Sequence, residues 1–366
     1  MHLKKIPIRI SVSGTRGKSS IVRTLASIFR NHGMIVLAKT TGTQAMYIMP
    51  DGQERPVKRF GKASILEQKR LVHKASELKV DCLITEIMSI HPECHQIETQ
   101  RLIKPNLTIF SNFRPDHTHV QGRTQDEISK CYVNDIFPSS TVLMLDNCAN
   151  KHFLLKINRR NSSLIRVKKD VSKKLKLSGA VSDQHFSENL DLAIETARHF
   201  NVDDNIIKNG IENTQLDIGR LEIFRFTTEN KSIYFVNSFA ANDPVSSMGV
   251  IQKVSQRMEI KNPKVVGLLA LRSDRGERSQ QWLDWIKKNK ENSFRKLYVI
   301  GAHQKILCRK IEEAEIIKSR RSEEITRHLL SICDDGSIIF GMGNFHGTGK
   351  ELLEFWKKEG DQLSDI

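Results

Sequence analysis

The chain has 366 residues, 39% of them apolar and 27% charged, with 20 glycines and 9 prolines. That length suggests two or three domains, and the composition excludes a collagen-like or low-complexity chain. Lys and Arg (58) exceed Asp and Glu (42), a formal charge of +16 that favours an anionic partner: nucleic acid, anionic lipid, nucleotide phosphates or a polyacid.

The predicted elements begin with a strand, since Ile6, Ile8, Ile10 and Val12 alternate. Ser13-Gly14-Thr15-Arg16-Gly17-Lys18-Ser19-Ser20 follows as a loop. Ile21, Val22, Leu25, Ile28 and Phe29 then recur at helical spacing, and Gly33 is placed to end that helix in the left-handed conformation. Further apolar runs predict strands at Cys82 to Thr85, Leu107 to Phe110, Thr141 to Leu145, Ile233 to Val236, Lys264 to Leu271, Leu297 to Ile300 and Ser337 to Phe340. Helices are expected at Ile65 to Leu78, Glu188 to Phe200, Pro244 to Val254 and Ile325 to Ile332. Strands alternating with helices indicate an α/β fold with largely parallel sheets. A junction near Asp217-Ile218-Gly219 divides it into domains 1–217 and 218–366. Lys168, Lys169, Lys173, Lys174 and Lys176 form a basic cluster, read as a solvated face or loop.

The longest apolar run, Val265 to Leu271, is far short of the roughly 20 residues of a spanning helix. The N-terminal stretch lacks the apolar region of a secretory signal. The six cysteines at 82, 94, 131, 148, 308 and 333 form no C-x-x-C pair, so they are expected to be reduced thiols in a cytoplasmic protein. Aromatic residues are sparse at 6% and not interleaved with basic ones, so no direct nucleic-acid binding is expected.

The loop Gly14 to Ser20 carries the clearest chemistry. Glycines let backbone N–H groups converge, and the following helix adds its dipole, so phosphate is favoured there. Lys18 is positioned for the β- and γ-phosphates, and the Ser19 hydroxyl for Mg²⁺. The generic phosphate-loop spelling wants a Gly where Val12 stands, so only the shorter form opened by Gly14 is present. Two more strand ends add to it. Glu86 closes Asp81-Cys82-Leu83-Ile84-Thr85-Glu86, a carboxylate where a Mg²⁺ ligand belongs. Phe110-Ser111-Asn112-Phe113-Arg114-Pro115-Asp116-His117 closes another. His91, Cys94, His95, His117 and His119 form a competing zinc pattern, against which Pro92 speaks by interrupting the i, i+4 spacing of His91 and His95.

In this order these motifs resemble the Mur ligase superfamily, and within it the catalytic ATP-dependent subunit of poly-γ-glutamate synthases (the CapB/PgsB type). The resemblance runs from about Pro7 to about Leu353. It rests on Gly14 to Ser19, Ala38-Lys39-Thr40-Thr41-Gly42-Thr43, Glu86 with Met88, Asp116-His117 and Val120-Gln121-Gly122-Arg123-Thr124. In the second half it rests on Phe239-Ala240-Ala241-Asn242-Asp243-Pro244, Leu271-Arg272-Ser273-Asp274-Arg275 and Gly341-Met342-Gly343-Asn344. It implies a phosphate-loop Mur-ligase-like domain with a parallel sheet, and a smaller C-terminal Rossmann-like α/β domain that in Mur-type ligases closes over the nucleotide. ATP would convert a glutamate carboxylate to an acyl phosphate, and an amine of a glutamate or γ-glutamyl chain would displace phosphate. The resemblance implies Lys18, Glu86 and His117 as catalytic residues and Ser19, Glu86 and His117 as Mg²⁺ ligands. It implies Gly14, Thr15, Arg16, Gly17, Lys18, Ser19, Ser20, Asn112, Asn242, Arg272 and Asp274 as ATP contacts.

An integral membrane partner at the inner face is expected from the export such a polymer needs, and a homo-oligomer is compatible with the family. Asn237 and Phe239 stand where Mur ligases commonly carry Asp and Lys or His, and no carbamylated-lysine counterpart is evident. Two alternatives stay open: another Mur-superfamily amino-acid ligase of folylpolyglutamate or cyanophycin kind, and a nucleic-acid-stimulated phosphate-loop ATPase.

Overall fold

The apolar runs of the first half pair into one eight-stranded sheet, and those of the second half into a seven-stranded sheet. The computed structural model describes residues 2–42, 44–59, 61, 63–178, 186–215, 221–228, 230–241, 243–258, 265–289 and 294–363. The chain divides into two compact units, Met1–Asp217 and Ile218–Ile366.

In the first unit the strands are β1 (Ile8–Ser13), β2 (Val36–Thr40), β3 (Met46–Ile48), β4 (Glu54–Pro56), β5 (Cys82–Glu86), β6 (Leu107–Phe110), β7 (Thr141–Leu145) and β8 (Ser163–Val167). Their order is β4-β3-β2-β5-β1-β6-β7-β8. Pairing is parallel from β2 through β8, and β3 and β4 extend the other edge antiparallel. β2 and β5 are buried at every position, because helices cover both faces; near-continuous apolar runs are the signature of such strands. The helix Lys18–Asn31 buries Ile21, Val22, Leu25, Ile28 and Phe29 completely. Its outer side is covered by the helix Asp204–Glu212, where a Cβ on Gly210 would lie 2.5 Å from Ile28 Cα. Glycine at 210 therefore sets that approach.

In the second unit the strands are β9 (Glu222–Thr228), β10 (Lys231–Asn237), β11 (Val265–Leu271), β12 (Lys296–Gly301), β13 (Ala314–Ile316), β14 (Ile338–Gly343) and β15 (Asp361–Gln362), ordered β13-β12-β11-β14-β10-β9-β15. The block β13 to β10 is parallel, and β9 and β15 complete it antiparallel. Phe239 is fully buried and stacks on Trp356 with ring centroids 5.8 Å apart. The resemblance would put a Lys or His there; here the position belongs to the core. Asp243 accepts from Ser246 N at 3.0 Å and caps the helix Pro244–Arg257, with proline in its first turn. In these two positions the Phe239-to-Pro244 landmark is core and helix start.

Among the described residues, no helix is long and apolar enough to cross a membrane.

Candidate active site

β1 lies between β5 and β6 in parallel register, with Val12 opposite Glu86 and Ser13 opposite Phe110. Three chain segments therefore leave the sheet at one edge: the glycine loop, the segment after Glu86 and the segment after Phe110. Ligands bind at this carboxyl edge in open α/β sheets.

The loop Gly14–Gly17 is stitched to the β6 exit. Thr15 N and Asn112 O are 3.0 Å apart, and the Thr15 hydroxyl donates to Asn112 Oδ1 at 2.8 Å. Asn112 Nδ2 in turn donates to Arg16 O at 3.0 Å, and Arg114 N donates to Thr15 Oγ1 at 2.9 Å. Gly14 and Gly17 have φ of +110° and +85°; a Cβ on them would sit 2.3 Å from Ser111 Oγ and from Asn189 Oδ1, respectively. Both glycines are required by backbone conformation and by space. Gly17 is the N-cap, so the first turn, Lys18, Ser19 and Ser20, presents backbone N–H groups with no intrahelical partner.

Lys18 Nζ donates to Gly14 O at 2.6 Å, which folds the ammonium back over the loop. Desolvation lowers the ammonium from its ordinary value, while the charges of Glu86 and Asp116 oppose that. Those two carboxylates and Arg16 lie close enough to act on it. Arg16 pairs with Asp116 at 2.9 Å. His117 has φ of +46° and starts the helix Thr118–Gln121; its N–H donates to Asp116 Oδ1 at 3.1 Å.

Glu86 is 1% exposed. Its Oε2 accepts the Thr41 hydroxyl at 2.7 Å, and its Oε1 is buried without a hydrogen-bond partner. The Thr40 hydroxyl on the neighbouring strand end is likewise buried and unpartnered. Beneath them, fully buried Lys39 pairs with Glu67 at 3.1 Å, and Arg59 closes on the same carboxylate at 2.7 Å. Burial lowers the Lys39 ammonium, and Glu67 opposes this. Glu98, fully buried, accepts from Gln68 Nε2 at 2.6 Å, Met88 N at 3.1 Å and Ser89 Oγ at 2.5 Å, so it pins the turn after Glu86.

The other candidate residues fall elsewhere. Asn242 lies outside the described residues. Arg272 and Asp274 belong to the second unit, where Arg272 grips Asp274 through two bonds of 2.9 and 2.7 Å. Among the described residues, no group of three His, Cys, Asp or Glu side chains is placed to hold a metal, and the zinc pattern is not assembled. His95 is instead a core residue bonded to Asp135 at 2.8 Å. The Gly122-Arg123-Thr124 landmark is a helix start: Glu127 accepts from Arg123 N and Thr124 N, completing a capping box. Thr41, Glu98 and Gln68 were not singled out by sequence reasoning. Thr41 had a signal only in the Lys-Thr-Thr-Gly-Thr spelling, and Gln68 and Glu98 had none.

Residues 12–206 match the model of the Mur ligase middle domain. The chain belongs to the Mur ligase family. This Mur ligase is an ATP-dependent enzyme that forms amide bonds. Its residues 223–359 match the poly-gamma-glutamate synthase CapB C-terminal domain. Two relatives are each 27% identical to it: the capsule biosynthesis protein CapB of Bacillus anthracis (98% of this chain, 78% of that one) and the PGA synthase CapB of Bacillus subtilis strain 168 (96% and 91%). In structure it is similar to the bifunctional folylpolyglutamate synthase/dihydrofolate synthase of Yersinia pestis complexed with AMPPNP and Mn (TM-score 0.68, 14% identity, 97% and 90% covered). A structure of such an enzyme with Mn, AMPPNP and L-glutamate bound gives a TM-score of 0.66 at 14% identity, covering 97% and 91%.

Proposed function

We propose that this Mur ligase joins glutamate units through their γ-carboxyl groups, using ATP at the phosphate loop. The observation that carries the reading is the shared sheet edge, where Lys18 and the first-turn N–H groups stand beside Glu86, whose buried Oε1 has no hydrogen-bond partner. The match of residues 223–359 to the poly-gamma-glutamate synthase CapB C-terminal domain supports glutamate as the unit.

The residue set suits a hard divalent cation. An unpartnered carboxylate oxygen, with the Ser19 hydroxyl and His117 on neighbouring segments, matches Mg²⁺, which takes most of its ligands from phosphate and water. Ser19, Glu86 and His117 would hold it. When bound, the cation neutralises charge on the transferring phosphoryl group.

The chain's own groups supply the rest. The loop amides and Lys18 hold the β- and γ-phosphates, and Lys18 offsets the charge that develops as the bond to ADP breaks. A γ-carboxylate oxygen bonds to the γ-phosphorus and ADP leaves, giving an acyl phosphate. The amine nitrogen of a second glutamate then bonds to the acyl carbon. The C–O bond to phosphate breaks, phosphate departs with the former carboxylate oxygen, and the nitrogen loses a proton. Thr15, Asn112 and Arg16 keep the loop in register throughout, and Arg272, Asp274 and Asn242 belong to the nucleotide set by family position.

We also place the protein at the inner membrane face, against an integral membrane partner that carries the product outward. Coexpression with that partner should move the protein into the membrane fraction.

The reading is tested by incubating the purified protein with ATP, Mg²⁺ and glutamate, adding hydroxylamine to trap the acyl phosphate. Glutamate-dependent ADP and a γ-hydroxamate are expected from the wild type, and neither from Glu86→Gln. ADP release stimulated by DNA or by a different amino acid, with no hydroxamate from glutamate, would overturn it.

A further inference from the structure

We propose that Asp135 is a positioning residue for the phosphate loop: its buried carboxylate, oriented by His95 and Thr99, holds Ser13 and through it the backbone on which Lys18 rests. This rests on the nucleotide reading above and deepens it with a group that acts on the loop from within the core.

Ser13 ends β1, directly before Gly14. It alternates with Ser11, so the two side chains share one face of a strand inside the sheet, and both residues are fully buried. A hydroxyl in that place needs a partner to offset its lost water. Ser11 pairs with Thr108 at 3.0 Å, and Thr108 donates to Asp135 O at 3.2 Å. Ser13 donates to Asp135 Oδ2 at 2.5 Å, the short distance of a bond to a charged acceptor.

Asp135 is itself fully buried, at the end of the turn Val133–Asp135. His95 Nδ1 lies 2.8 Å from the same Oδ2, and Thr99 donates to Oδ1 at 3.0 Å. His95 and Thr99 are four residues apart on the consecutive helical segments Pro92–Ile97 and Glu98–Ile103, so they face the carboxylate together. The Ser13 carbonyl is held as well, by Ser111 N at 3.0 Å and Ser111 Oγ at 3.2 Å. The next carbonyl, Gly14 O, accepts Lys18 Nζ at 2.6 Å. An unbroken path of bonds thus runs from His95 through Asp135, Ser13 and Gly14 to Lys18. Burial lowers the Lys18 ammonium, and the charge of Asp135 is among those that oppose this. One buried carboxylate therefore bears both on where the loop begins and on the charge of its lysine.

The test uses full-length protein and a fluorescent ADP analogue read by anisotropy, well below the melting temperature of each variant. Ser13→Ala and Asp135→Asn are each expected to weaken the analogue roughly ten-fold. The double variant should bind no worse than the weaker single one, because both changes break the same bond. His95→Gln keeps an N–H for the carboxylate and should retain more affinity than His95→Leu. A role in core stability alone would lower the melting temperatures and leave the affinity of the folded protein as it is. Wild-type affinity in Ser13→Ala, or independent losses that multiply in the double variant, overturns the proposal. Ser13→Ala removes a single oxygen, so it decides the matter even where Asp135→Asn fails to fold. Lys18→Ala separates the two readings. If it loses the analogue while Ser13→Ala does not, the loop assignment stands and only the positioning role falls; if Lys18→Ala also binds like the wild type, both fall.

Discussion

The Thr41 hydroxyl donates to Glu86 Oε2 at 2.7 Å, leaving Oε1 of the same carboxylate buried and unpartnered. One oxygen is thereby fixed, and in the proposed function the other is the one left for a cation. Partners of this kind typically govern metal affinity by 10- to 100-fold. Thr41→Val is expected to weaken Mn²⁺ binding, read by electron paramagnetic resonance, by about ten-fold. Thermal stability should stay close to wild type, and Thr41→Ser should restore binding. Unchanged Mn²⁺ affinity in Thr41→Val would show that Glu86 needs no such orientation.

Lys18→Ala is expected to abolish ATP turnover while leaving the circular dichroism spectrum intact. The ammonium reaches back to Gly14 O, and a cation aimed at a transferring phosphoryl group is worth several kcal/mol. Full ADP release from this variant would remove the phosphate-loop assignment.

Gly17→Ala forces a Cβ 2.3 Å from Asn189 Oδ1 at a φ of +85°. Backbone strain of this kind costs of order 1–3 kcal/mol before the clash is added. A lowered melting temperature and weaker nucleotide binding are expected. Adding Asn189→Ala should recover part of the stability, because it relieves the clash and leaves the strain. Wild-type stability in Gly17→Ala would contradict the loop geometry.

Two buried ion pairs set opposite pH limits. Burial of His95 favours the neutral ring, but the charge and hydrogen bond of Asp135 outweigh it and raise the imidazolium to about 10. A raised folded-state value contributes stability that is full below the unfolded value near 6.5 and is lost as pH rises through about 10. Burial of Glu67 opposes its charge, yet the Arg59 and Lys39 contacts hold the carboxyl at about 2. That contribution is full above the unfolded value near 4.5 and is lost as pH falls towards 2. Melting temperatures should therefore be highest between these limits. His95→Gln should flatten the decline on the alkaline side, and Glu67→Gln that on the acid side. Unaltered pH profiles would show that neither pair is coupled to folding.

The inner parallel strands were legible because a strand buried on both faces must be an apolar run, as with Thr141–Leu145 and Val265–Leu271, whereas the partly exposed parallel strands Ser163–Val167 and Ala314–Ile316 were missed. The antiparallel edge was not legible either. Met46–Ile48 and Glu54–Pro56 are three residues each, with too little alternation to read. The glycine loop was visible because phosphate chemistry is local to Gly14 through Ser20. The pairings around it were not, because they join residues distant in sequence: Thr41 with Glu86, Lys39 with Glu67, Asn112 with Thr15. His95 shows the same effect in reverse. Its spacing from His91 and Cys94 suggested a metal ligand, but Asp135, 40 residues away, draws it into the core.

The most direct test of the central claim follows oxygen through the reaction. Glutamate labelled with ¹⁸O in its γ-carboxyl is supplied with ATP and Mg²⁺, and the phosphate released is analysed by mass spectrometry. An acyl phosphate intermediate requires one labelled oxygen in phosphate for each amide bond formed. Unlabelled phosphate, its oxygen drawn from water, would show an ATPase and contradict the assignment of this chain as a glutamate ligase.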